Sequence, residues 1–328
     1  MVFKKLLGSL GVGGPTVDTV LDPGAVRPGG SLTGQVHLKG GSADFDIEQI
    51  TLELVARVEA EDDGGEAEGV AGFGRFTVAG GFRLAAGEQR SVPFTVALPW
   101  ETPITQLYGQ ALGIVLGVRT ELAVAGANDK GDLDPLTVAP LPVQEAVLEA
   151  LGRLGFAFKS ADLEYGHIRG TGQQLPFYQE IELAPAPQYT HAMLELEVTF
   201  LANPGGMEVV LEADKPGGFF SSGHDAVNRH VVSHDGADQR DWNSVVDAWI
   251  RQIVASNGHH SAPAPYEHAD THGGHYSHGH HRSGPGMGTA VAAGAAGLAV
   301  GVAGGFVAAE VVDEVGDFFE GDDEGDQG

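Results

Sequence analysis

Six histidines, His268, His272, His275, His278, His280 and His281, crowd into residues 268–281, with His259 and His260 just ahead of them. Neutral imidazole ligates zinc, nickel and copper readily, so this tract is the candidate metal site of the chain. Its Gly, Ser and Pro background builds no fixed ligand shell. The ion expected there is an adventitious divalent transition metal, and no resident cofactor is expected. The histidines are interrupted and internal, unlike an affinity tag. A second mixed group, His224, Asp225, His230, His234, Asp235 and Asp238, has zinc-binding residue types but no helical ligand spacing. Asp129, Asp132 and Asp134 are close enough to suggest a cation, yet Pro135 and their spacing fit a connector better. The acidic run at 59–69 lacks the ordered spacing of a calcium loop and reads as a solvated hairpin tip.

Catalytic wording is missing. The chain has no nucleophile elbow, P-loop, zinc-protease helix or dinucleotide fingerprint, and residues 69–74 are glycine-rich without the strand–helix context that phosphate binding needs. With 0 cysteines, thiol nucleophiles, disulfides and cysteine metal sites are excluded, and a reducing compartment fits. Acids outnumber bases 45 to 18, a formal charge of -27. That field repels nucleic acid and anionic lipid, so DNA binding is a poor expectation; the acidity reads as solubility in a salty cytoplasm, with basic partner surfaces as the functional alternative.

The elements that would carry such surfaces are mostly strands. At 328 residues the chain has room for about two domains. Residues 32–39 and 50–59 alternate apolar and polar side chains, the pattern of antiparallel strands with one buried face. Residues 16–21, 73–84, 91–98, 114–125 and 156–161 add further strands. A hairpin over 194–213 turns at Asn203-Pro-Gly-Gly. Phe177, Ile181 and Leu183 share a strand face with Gln179, and Tyr178, Glu180 and Glu182 make the wet one. Residues 219–240 read as a loop.

Helical spacing appears three times. Phe3, Leu6, Leu7 and Leu10 mark a short amphipathic helix that packs on the following domain or touches a membrane. Pro142 starts a second, with Val143, Val147, Ala150, Leu151 and Leu154 on one face. The third is capped by Asp241 and carries a stripe of Trp242, Val245, Val246, Trp249, Ile250 and Ile253. That stripe either packs on the second domain or detaches to dock in a partner's groove, which makes it the candidate partner-binding surface. Residues 290–309 carry no charge and repeat Gly297, Gly301 and Gly305. They either associate with a membrane or form a self-associating glycine-rich segment.

Three stretches carry a family resemblance. Residues 161–183, ADLEYGHIRGTGQQLPFYQEIEL, together with Val17-Asp-Thr-Val-Leu and Val26-Arg-Pro-Gly-Gly-Ser-Leu-Thr-Gly-Gln-Val, resemble the bacterial sporulation-control family (SpoOM type) of arrestin-like proteins. The likeness covers about residues 1–255. Pro93-Phe-Thr-Val-Ala-Leu-Pro, with Thr102-Pro103 after it, looks like the strand exit of arrestin-type domains. The resemblance implies two tandem antiparallel β-sandwiches, a cytoplasmic regulator of development, and no enzyme activity.

The expected plan is mostly β. An arrestin-like sandwich spans 1–127, a linker with a helix 128–154, and a second sandwich 155–240. An amphipathic helix follows at 241–257. Then come a His/Gly-rich disordered linker at 258–289, an Ala/Gly-rich apolar segment at 290–309 and an acidic tail at 310–328. The expected role is a non-enzymatic adaptor that controls sporulation or related development through protein–protein contacts. The alternatives are a membrane-associated assembly protein acting through the glycine-repeat tail, or a histidine-tract metal-binding protein. Neither partner identity nor oligomeric state follows from the sequence.

Overall fold

The computed structural model describes residues 13–62, 65–127, 129–214, 226–258 and 306–308. Among the described residues the chain is mostly β, in several sheets, with two α-helices. One sheet joins β1 (Thr16–Leu21), β2 (Ser31–Lys39) and β5 (Gln89–Ala97) in the order β1-β2-β5. Opposite it, β3 (Phe45–Asp62) pairs antiparallel with β4 (Gly65–Leu84) and β8 (Leu116–Val124). The alternation in the sequence is the burial pattern. Leu32, Val36 and Leu38 of β2 and Ile50, Leu52, Leu54 and Val58 of β3 lie in one core with Phe94 and Val96. Gly29 in the turn before β2 has φ +69, and the Trp100 ring lies 2.4 Å from where its Cβ would be. Only glycine suits both conditions.

Residues 130–135 were expected to be connector. They form β9 (Lys130–Pro135), paired antiparallel with β8. Asp132 accepts a hydrogen bond from the Thr19 amide at 2.6 Å, and Thr19 and Thr120 share a buried hydroxyl contact at 2.7 Å. Asp132 thus stitches β9 to the opposite sheet. A small hairpin, β6 (Gln106–Leu107) and β7 (Gln110–Ala111), turns through Tyr108 (φ 52) and Gly109 (φ 78).

Helix α1 (Pro142–Arg153) begins at its proline, and Gln144 turns back to accept the Leu141 amide at 2.8 Å. Val143, Val147, Ala150 and Leu151 are buried, as the spacing predicts. An antiparallel run of five strands follows: β10 (Ala157–Tyr165), β11 (Phe177–Ala184), β12 (Glu195–Asn203), β13 (Gly206–Asp214) and β14 (Ala226–Val232). The last of these lies inside the stretch expected to be loop. Helix α2 (Trp242–Gly258) packs against β13, β14 and α1. Asp241 caps it by accepting the Ser244 amide at 3.2 Å.

The two halves are joined. Glu164 of β10 lies beside Glu59 of β3 in parallel, which extends one sheet through both halves. Phe73 meets Phe177 edge-on at 5.5 Å. The Glu101 carboxylate accepts the amides of Gln174 (2.7 Å) and Leu175 (2.8 Å). At the far end of the path, β15 (Phe306–Ala308) pairs antiparallel with Gly69, Val70 and Ala71 of β4. Among the described residues no helix is long and apolar enough to cross a membrane.

Candidate functional site

The five-stranded run has two unlike faces. On one, Phe177, Ile181, Leu183, Leu196, Val198, Val209 and Leu211 join the core. On the other, strand register brings carboxylates into rows. Asp162 stands opposite Glu180, Glu182 opposite Glu197, Glu197 opposite Glu212, and Glu195 opposite Asp214. Side chains directly across neighbouring strands lie about 5 Å apart, so these acids feel one another strongly.

Their protonation records that crowding. Burial, then the charges of Glu197 and Asp162, pushes Glu180 up to about 9. Burial, then Glu212 and Asp214, pushes Glu197 up to about 8. Burial, with Glu182 and Glu59 beside it, raises Asp162 to about 6. Tyr178 is also pushed well above the usual phenol range, by burial first and then by Glu180. Cations also reach this face. Lys159 reaches Glu195 at 2.6 Å and Glu182 at 3.0 Å, and Arg229 lies 3.7 Å from Glu208. Hydrogen bonds to Glu195 and Glu182 hold the Lys159 ammonium above its ordinary range.

A groove of about 450 Å³ opens on this face. Glu180, Glu197, Glu212 and Thr199 line it with Tyr178, Val210, Ile168, Arg169, Val227 and Arg229, and Arg229 donates to the Gly170 carbonyl. Asp162, Glu164 and Glu180 can each place one carboxylate oxygen within 4.8 Å of the others, the donor set a hard divalent cation takes. A second groove, about 470 Å³, lies where the β6–β7 hairpin meets α1, β10 and β11. Leu107, Tyr108, Leu148, Phe156 and Phe158 are among its lining residues.

The expected site residues fall elsewhere. Trp242, Val246, Trp249, Ile250 and Ile253 are buried, and Val245 packs beside them. The stripe read as a partner-docking surface is therefore core in this arrangement, and a partner reaches it only if α2 leaves the sheet. Its anchor was not foreseen: His230 of β14 stacks on Trp249 at 4.4 Å with rings 8° apart. His234, once grouped with His230 as a ligand candidate, stacks on Trp100 at 5.1 Å, with its Nε2 2.7 Å from the Asn203 carbonyl oxygen. The histidines His268, His272, His275, His278, His280 and His281 lie outside the described residues, as do His224, Asp225, the N-terminal apolar face and residues 290–305. The acidic face itself was missed. Its signal was present: acids on alternate positions of four successive strands.

The two sheet-built halves, joined through one continuous strand path and displaying open faces, define an arrestin-like β protein. The family model described as SpoOM protein matches residues 3–217, and the chain belongs to that family. The sporulation-control protein spo0M of Bacillus subtilis (strain 168) is 40% identical over 214 residues, covering 65% of this chain and 80% of its own. The crystal structure of Spo0M from Bacillus subtilis superposes with a TM-score of 0.64 at 31% identity, over 75% of this chain and 100% of that one.

Proposed function

We propose that the chain is a non-enzymatic adaptor that regulates sporulation or a related developmental step through protein partners in the cytoplasm. The observation that carries this reading is the 40% identity to a sporulation-control protein across 214 residues, with the family model reaching both sheet-built halves over residues 3–217. The architecture supports it, because two sheet-built halves, joined by one strand path and by the Phe73–Phe177 and Glu101 contacts, hold open faces in a fixed relation. Such faces bind by surface complementarity, with no need for a reacting group.

The test is partner capture in the native host with membrane flotation, comparing the full chain with a version ending at Gly258. Partners retained by the shorter chain support an adaptor built on the sheets, with the remainder serving to locate it. Partners lost while the fold survives assign the activity to residues 259–328 and overturn the reading.

A further inference from the structure

Two uncharged stretches that the adaptor reading leaves unused meet in the fold. One is the glycine-rich run 69–74, which lacks the context of a phosphate loop. The other is the apolar segment 290–309, which contains β15. The two pair antiparallel, with Phe306 opposite Ala71, Val307 opposite Val70 and Ala308 opposite Gly69.

β4 offers an edge already fixed for pairing. Its inner side pairs with β3 from Gly65 to Leu84. Among the described residues β15 is the only strand on its outer side. Ala71 and Phe73 lie in the main core, while Val70 packs with Val55 and Leu133 in a separate cluster. A strand held by both sets of contacts needs little further ordering to accept a neighbour. Natural sheet edges are guarded by charged side chains. Further along β4, Arg75 and Arg83 are exposed and supply that guard. Residues 69–74 carry no charge, so this part of the edge stays receptive.

The contact is also exchangeable. Three paired residues supply few hydrogen bonds, each of modest net worth in water. Residues 259–305 join α2 to β15, and a chain of that length reaches at most about 150 Å. Every copy carries the same edge and the same strand, so the pairing is identical whether they belong to one chain or to two. A tethered strand meets its own edge at about millimolar effective concentration. Pairing within one chain therefore governs dilute protein, and pairing between chains competes once copies crowd.

We propose that residues 69–74 of β4 form a strand-acceptor site for the uncharged tail segment. The chain's own Phe306–Ala308 fills it in the isolated molecule, and two crowded copies exchange these strands reciprocally. The site goes beyond the adaptor reading and does not depend on it.

The experiment keeps the full chain. Adjacent residues of a strand aim their amides to opposite sides, so Phe306→Pro/Val307→Pro removes one that faces β4. Circular dichroism checks that the fold is kept. The probe is a fluorescent peptide of residues 301–313. It should bind the proline variant saturably, and the native chain at least about tenfold more weakly, because the native tail already holds the edge. Bound peptide should slow amide exchange within Gly69, Val70 and Ala71 of the variant. Sedimentation in about 0.5 M salt screens the net charge of -27 that keeps copies apart. There the native chain should dimerise as it nears millimolar concentration, while the proline variant stays monomeric.

A peptide that binds neither chain, or both equally, overturns the acceptor site. Peptide binding with no dimer of the native chain overturns the exchange, as does equal dimerisation of both chains. None of these failures touches the adaptor reading, which stands or falls on host partners.

Discussion

Gln179 holds the backbone of Ile104 at both ends: its Oε1 accepts the Ile104 amide at 3.0 Å, and its Nε2 donates to the Ile104 carbonyl at 2.9 Å. Ile104 belongs to the first half, with no exposed surface, and Gln179 to β11 of the second. The pair is a side-chain imitation of strand pairing, placed where no strand continues. Gln179→Ala strands a buried donor and a buried acceptor together, at a cost of about 1–3 kcal/mol. Urea denaturation should show the lower midpoint, and amide exchange should quicken at Ile104 before it does in the strand cores.

The stack of His230 on Trp249 fixes α2 to β14, and Trp242 meets Trp249 edge-on at 6.4 Å. Trp249→Ala removes the ring from between them. A buried tryptophan lost to alanine costs about 3–5 kcal/mol. The expected outcome is a large fall in melting temperature and early protease cleavage within α2. An unchanged cleavage pattern would show that the helix is held by Ile250 and Ile253 instead.

Gly29 tests the turn that carries part of the family resemblance. An alanine there must adopt φ +69 and place its Cβ against the Trp100 ring. Gly29→Ala is expected to destabilise by about 1–3 kcal/mol, the usual range for overpacking. A shift in Trp100 fluorescence should accompany it, since that ring must move.

Much of the fold was legible because burial follows local period. The β2 and β3 alternations, the Pro142 helix start, the Asp241 cap and the α2 stripe are all properties of a few neighbouring residues. What was not legible depends on partners distant in sequence. Residues 130–135 contain Asp132, Asp134 and Pro135, poor strand material, yet backbone pairing to β8 and the Asp132–Thr19 contact make a strand of them. Residues 226–232 looked like loop because Asn228, Arg229 and His230 interrupt the valines, but His230 is spent on Trp249. The acidic face is the clearest case. Glu180 alone reads as a solvated strand residue, and only the register that aligns β10 to β13 turns solvated acids into a crowded, half-buried array.

That array predicts an inverted pH dependence. Unfolded, glutamate titrates near 4.5, whereas Glu180 and Glu197 in the fold titrate near 9 and 8. Between those limits the folded chain holds protons that the unfolded chain has released, so stability falls as pH rises. Asp134, raised by burial and then by Asp132 to about 7 from 3.8, acts in the same direction. The melting temperature should therefore rise as pH drops from 8 to 5.5. Glu180→Gln/Glu197→Gln fixes the neutral form, so it should melt about 2–4 °C above the native chain at pH 8. At pH 5.5, where both acids are already protonated in the fold and the unfolded acids are closer to protonation, the gap should narrow. A double variant that melts below the native chain at pH 8 would mean that these two carboxylates are ionised and stabilising, and that their crowding is relieved by groups outside the face.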